Sequence, residues 1–202
     1  MAIVMEGRYQ RAIAAIDAMH AQDPEHELAH HEAMPAELAY AERMSAALDA
    51  LKPDADEALK IAVRAQHLMR WTLPREEYPK GKAGYHAWRT EQKKRHARRA
   101  AEAMAEAGYE ADAIERVRGL VMKKQLKSDP DAQALEDAAC LVFLETQLAE
   151  FAEGKDEDDL IEILRKTWAK MSPRGRELAL ALELEPSARA LVEKALVEQA
   201  VR

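Results

Sequence analysis

Asp137, Cys140, Leu141, Leu144, Leu148 and Phe151 follow one another at helical spacing, and no polar residue lies on the stripe after Asp137. Such spacing puts all of them on one face of a helix. A face this long is stable only when other helices cover it, so the stripe commits the chain to a packed helical architecture. Composition points the same way. Of 202 residues, 48% are hydrophobic, only 5% are aromatic and seven are glycine, with alanine, leucine, glutamate, lysine and arginine in excess. These favour helices over sheets and allow a sizeable core. The expectation is an all-α, single compact multi-helix domain over residues 1–202.

Start and stop signals divide the chain. The spacing predicts a helix from about Glu6 to His20, stopping near Asp23-Pro24, and a second over 35–51 with Pro35 at its first position. Asp56 caps a third over 57–71, which ends before the irregular loop TLPREEYPKGKAG. Further helices are expected over 85–107, 111–126 and 131–153, and three more in DEDDLIEILRKTWAKM, PRGRELALALEL and PSARALVEKALVEQA. No apolar run approaches the roughly 18 residues of a membrane span. The single cysteine, Cys140, has no internal disulfide partner, and MAIVMEGRYQRA lacks the pattern of a signal peptide. A soluble cytoplasmic protein is expected.

Net charge is -7, yet between Lys60 and Arg99 twelve Lys or Arg face three acids, giving that segment +9 and the remainder -16. Such asymmetry points to an anionic partner held by one region. The run KKRHARR alone reads equally well as a solvated helix face. Arg64, Arg70, Arg75 and Arg89 are stronger candidates because they are interleaved with aromatic residues.

Ionisable residues on apolar faces are the other signal. Glu37 lies above Ala41, Met44, Leu48 and Leu51; Gln66 and His67 continue the stripe of Leu59, Ala62 and Val63; His96 aligns with Trp88, Gln92, Ala100 and Met104. Asp137 heads the stripe described above, and a buried lone carboxylate requires a partner. Two imidazoles and two carboxylates can ligate Zn, Mn, Fe or Mg if they converge. Alternatively each is an isolated core group, with His67 on a carbonyl, Asp137 paired with Arg64 or Arg70, and Glu37 paired with an arginine. HELAHH has i, i+4 histidine spacing but reads more simply as a solvated loop. Cys140 reads as a small core residue. P-loop, dinucleotide-binding, esterase and CxxC motifs are missing from the sequence, which excludes those readings.

The strings RAQHLMRW, LPREEYP, GKAGYHAWR, LEDAACLVFLE and KTWAKMS resemble the family called domain of unknown function 4202, from PAELAYAERM to KMSPRG. That family is in turn distantly similar to HD-domain metal-dependent phosphohydrolases. The resemblance implies an HD-like core over 35–153 followed by C-terminal helices over 154–202. It also implies a metal held by Glu37, His67, His96 and Asp137, with His67 and Asp137 catalytic. Glu37 stands where HD proteins carry a first histidine, and Gln66-His67 stands where they carry His-Asp. A metal-bound water would then attack a phosphate ester. Arg64, Arg70, Arg75, Lys82, Arg89 and Lys124 would hold phosphate oxygens, and Tyr78, Tyr85 and Trp88 would stack on a base or sugar. The same basic segment, together with Lys123-Lys124, equally suits a non-catalytic module binding a nucleotide or RNA, or a helical protein docking on an acidic partner. KMS in AKMSPRG is similar to a signature of class I aminoacyl-tRNA synthetases, but the expected following lysine is missing, and we treat this as chance.

Overall fold

In the computed structural model, which describes residues 7–29, 31–126 and 128–197, the protein is mostly helical. Helix α1 (Arg8–His20) buries Ala12, Ile16 and His20 and stops before Pro24. A two-stranded antiparallel hairpin follows, β1 (His26–Ala29) against β2 (Glu32–Pro35), with His26 opposite Pro35 and Ala29 opposite Glu32. This hairpin replaces the expected loop, and His31 turns it with φ 67°. His30 lies outside the described residues, as does Glu6 at the expected start of the first helix.

Helix α2 (Ala36–Leu51) is pinned to the end of α1 by Asp23. One carboxylate oxygen of Asp23 accepts from the Glu25 N–H at 3.1 Å and the other from the Glu37 N–H at 2.9 Å. Helix α3 (Glu57–Arg64) starts where the Asp56 side chain accepts from the Leu59 N–H. It ends seven residues earlier than expected. The chain then turns through His67 (φ 60°) and Met69 (φ 55°), makes single 3-10 turns at Arg70–Thr72 and Arg75–Glu77, and enters α4 (Lys82–Glu106). Gly84 lets the loop close on the start of α4, because a β-carbon there would lie 1.8 Å from the Pro79 carbonyl oxygen.

Helix α5 (Ala111–Val121) also ends early, in a turn where Lys123 and Gln125 take φ of 53° and 59°. The opening stripe forms α6 (Pro130–Val142), which passes through a π-helical turn at Phe143–Gln147 into α7 (Leu148–Ala152). Helices α8 (Glu157–Lys170), α9 (Pro173–Ala181) and α10 (Pro186–Val197) complete the described chain. No helix among the described residues is long and apolar enough to cross a membrane.

Two apolar clusters make the core. Ile16, Met44, Leu48, Leu59, Ile61, Leu68, Met104, Leu120 and Leu135 are buried in the first. Leu141, Leu144, Leu148, Ile161, Leu164, Met171 and Val192 are buried in the second. The α6 spine serves both: Leu135, Ala138 and Val142 join the first cluster, while Cys140, Leu141 and Leu144 join the second.

Candidate anion-binding cavity

The two early helix ends and the π-turn lie around one cavity of about 410 Å3. The turn after α3 supplies Gln66, His67 and Arg70, and the turn after α5 supplies Lys123. Helix α4 contributes Tyr85, Trp88, Arg89, Gln92, Lys93 and His96; α6 and the π-turn give Glu136, Ala139, Cys140, Phe143 and Gln147. Phe151, together with Ile163, Thr167 and Lys170 of α8, forms the remaining wall. Left-handed backbone at non-glycine residues costs free energy and persists where surrounding structure enforces it. Here it directs His67 and Lys123 into the same space.

The buried polar residues of α4 enforce the first turn. Trp88 Nε1 donates to the Leu73 carbonyl at 2.9 Å, and Gln92 Nε2 donates to the carbonyls of Arg70 (2.9 Å) and Leu73 (3.1 Å). Arg99 donates to the carbonyls of Leu68 and Met69 and to Thr72 Oγ1. Spacing of three and four along α4 aims these donors at the irregular segment, whose carbonyls lack helical partners. His96 Nε2 donates to Gln92 Oε1 at 3.2 Å and so fixes the glutamine.

His67 is sandwiched. Tyr40 stacks on one face with ring centres 4.3 Å apart and planes 8° apart. On the other, Arg70 Nη1 lies 3.2 Å from Nε2 and 3.4 Å from Nδ1, near-equal distances that set the guanidinium over the ring. The His96 ring is centred 6.3 Å away. Burial, followed by Arg70 and Lys123, drives the His67 pKa well down, and burial followed by His67 drives that of His96 to about 2. Both imidazoles are therefore neutral at pH 7. Glu37 Oε2 stands 3.4 Å behind His67 Nδ1 but forms no aligned hydrogen bond, and burial raises its pKa to about 7. Because His67 is neutral, the Glu37–His67 contact is polar, not an ion pair.

Five cations, Arg70, Arg89, Lys93, Lys123 and Lys170, line the cavity against one carboxylate, Glu136, which pairs with Lys123. Among the described residues the other four make no ion pair. Burial, Lys123 and Arg89 lower the pKa of Lys93, as expected for cations crowded without counter-charge. The aromatic lining adds Tyr85 beside Trp88 (centres 6.0 Å apart) and Phe143 edge-on to Phe151 (5.5 Å).

Of the residues singled out in the sequence, Gln66, His67, Arg70, Tyr85, Trp88, Arg89, His96, Lys123 and Cys140 share this cavity. The others lie elsewhere. Arg64 grips both carboxylate oxygens of Asp17 at 2.6 and 2.9 Å, tying α3 to α1. Arg75 braces its loop by donating to the carbonyls of Tyr78 and Pro79. Tyr78 and Lys82 are outside the lining, and Lys124 reaches Glu115 at 3.8 Å on the surface. Asp137 accepts from the Ser172 N–H at 2.9 Å and from Gln133 Nε2 at 3.0 Å, and a β-carbon on Gly175 would lie 2.7 Å from its carboxyl carbon. Its partners are the cap of α9 and a glutamine, neither the metal nor the arginines expected. Among the described residues no three His, Cys, Asp or Glu side chains are placed to hold a metal ion. Among the described residues the donor set therefore does not fit a divalent metal. Cys140 lines the cavity, but burial lifts its pKa to about 12 and leaves a thiol, not a thiolate.

Fold and cavity together define a mostly helical protein with a cationic, aromatic-lined cavity. Over residues 10–192 the chain matches the family described as domain of unknown function, DUF4202, and it belongs to that family. No curated protein and no solved structure matches it.

Proposed function

We propose that the protein binds a phosphorylated small molecule carrying a flat ring in this cavity. The observation that carries the reading is the convergence of five cations on one open cavity, against a single carboxylate, in a chain whose net charge is -7. Arginine forks and lysine ammoniums suit phosphate oxygens. Neutral His67 and His96 add hydrogen-bonding groups without further charge. The volume falls in the range of small-molecule sites. RNA is the weaker partner: within the basic run Arg95 pairs with Glu91, Arg98 with Glu102, and Arg99 is committed to the Leu68–Thr72 backbone.

The HD-like hydrolase reading asks for a metal that Asp137 is not placed to help hold, so binding is the function supported best. Thermal unfolding of tag-free protein in chelator, with and without inorganic phosphate at matched ionic strength, tests it. Phosphate raises the midpoint, and Arg70→Gln weakens the effect. Stoichiometric metal that disappears in His67→Ala, with phosphate binding only to the metal-loaded protein, would replace this reading by the metal-hydrolase one.

A further inference from the structure

Resting on the phosphate-binding reading, we propose that the cavity is built for a diphosphate joined to a flat ring, not for a single phosphate. Four of its cations form one group. Arg89 and Lys93 stand one turn apart on α4, Lys123 enters from the strained turn after α5, and Lys170 closes the side formed by α8. Lys123, Lys170 and Arg89 all act on Glu136, and Lys123, Arg89 and Lys170 all act on Lys93, which places the four within one electrostatic neighbourhood. Glu136 cancels one of them through its contact with Lys123.

Three positive charges then remain uncompensated before Arg70, deeper beside His67, is added. A phosphate monoester carries about -1.5 to -2 at pH 7, which leaves at least one cation of the group unmatched. A second phosphoryl group supplies the missing anionic oxygens. Because the cations come from three elements and not from one turn, they surround an extended anion better than a single tetrahedral one. Lysine ammoniums, being compact point charges, suit several separate oxygens. The ring then lies against Phe143 and Phe151 or the partly exposed Tyr85 at the mouth, where stacking is open to it.

Calorimetric titration of the full chain in metal-free buffer at fixed ionic strength, using phosphate, pyrophosphate, a nucleoside 5′-monophosphate and the matching 5′-diphosphate, tests this. Pyrophosphate is expected to bind at least about tenfold more tightly than phosphate, a difference of about 1.4 kcal/mol. The nucleoside diphosphate should bind more tightly than pyrophosphate. Lys93→Met and Lys170→Met, neither of which breaks an ion pair, should each reduce the preference for two phosphates without lowering the thermal midpoint of the free protein. Equal affinity for mono- and diphosphates overturns the diphosphate assignment and leaves phosphate binding standing. Pyrophosphate matching the nucleoside diphosphate overturns the ring assignment, and no binding of any of the four overturns both this inference and the reading beneath it.

Discussion

Asp137 shows how a residue acquires its role from partners that are distant in sequence. Its helical spacing places it on a core stripe, and that placement is correct: it is 2% exposed. Its carboxylate, however, satisfies the first N–H of the α9 cap and leaves room only for glycine at 175. Asp137→Ala should therefore cost about 1–3 kcal/mol of stability in urea unfolding, the range for an orphaned buried donor, with phosphate binding retained. His96 makes a different prediction. Its folded pKa near 2 lies below the ordinary 6.5, so the neutral form is the folded one; its contribution is complete above pH 6.5 and is lost as pH falls toward 2. His96→Gln should flatten the acid limb of stability below pH 6.5 by up to about 1.4 kcal/mol per pH unit. Glu37 runs the opposite way, because its pKa is raised to about 7. Its contribution is complete below the ordinary carboxyl value of 4.5 and is lost as pH rises to 7, so Glu37→Gln should remove a loss of stability between about pH 4.5 and 7.

At the scale of elements, the turn after α3 governs the site, and α4 governs the turn. Arg99→Ala removes donors from the carbonyls of Leu68 and Met69 and from Thr72. Amide exchange should accelerate across 65–73 while α5 and α6 keep their protection; uniform acceleration would mean that Arg99 supports the whole bundle instead. This turn also marks the limit of what the sequence reveals. Helix starts were legible where a side chain caps them, as at Asp56 and Asp129, because that chemistry is local. The end of α3 was not, since Gln66 and His67 continue its apolar spacing and no glycine announces the positive φ at His67 or Met69. The positive φ at Lys123 and the hairpin turn at His31 escaped for the same reason. Trp88, Gln92 and His96 were legible as inward-facing, but their use as donors to an irregular backbone depends on a segment that reads as helix. Lys170 and Phe143 carried no signal of a site, and Phe151 read only as the end of an apolar stripe, because only packing of the second core against the first brings them to the cavity.

For the molecule as a whole, that cavity is where the two cores meet. Arg70, Lys93 and His96 are held by elements of the first core, whereas Ile163, Thr167 and Lys170 belong to α8, which packs in the second. An anion placed between them attracts cations from both sides and so couples helices of the two cores. At about 100 times its dissociation constant, a ligand that binds only the folded state adds about 2.7 kcal/mol to stability. If the cavity is shared as the lining shows, pyrophosphate at that concentration should slow amide exchange in α8 as well as in α4. Lys170→Met separates the two effects: protection of α8 should fall while that of α4, anchored through Arg89 and Lys93, largely remains. Protection confined to α4 in the unmodified protein would mean that the anion contacts one side only, and that Lys170 contributes nothing to holding it.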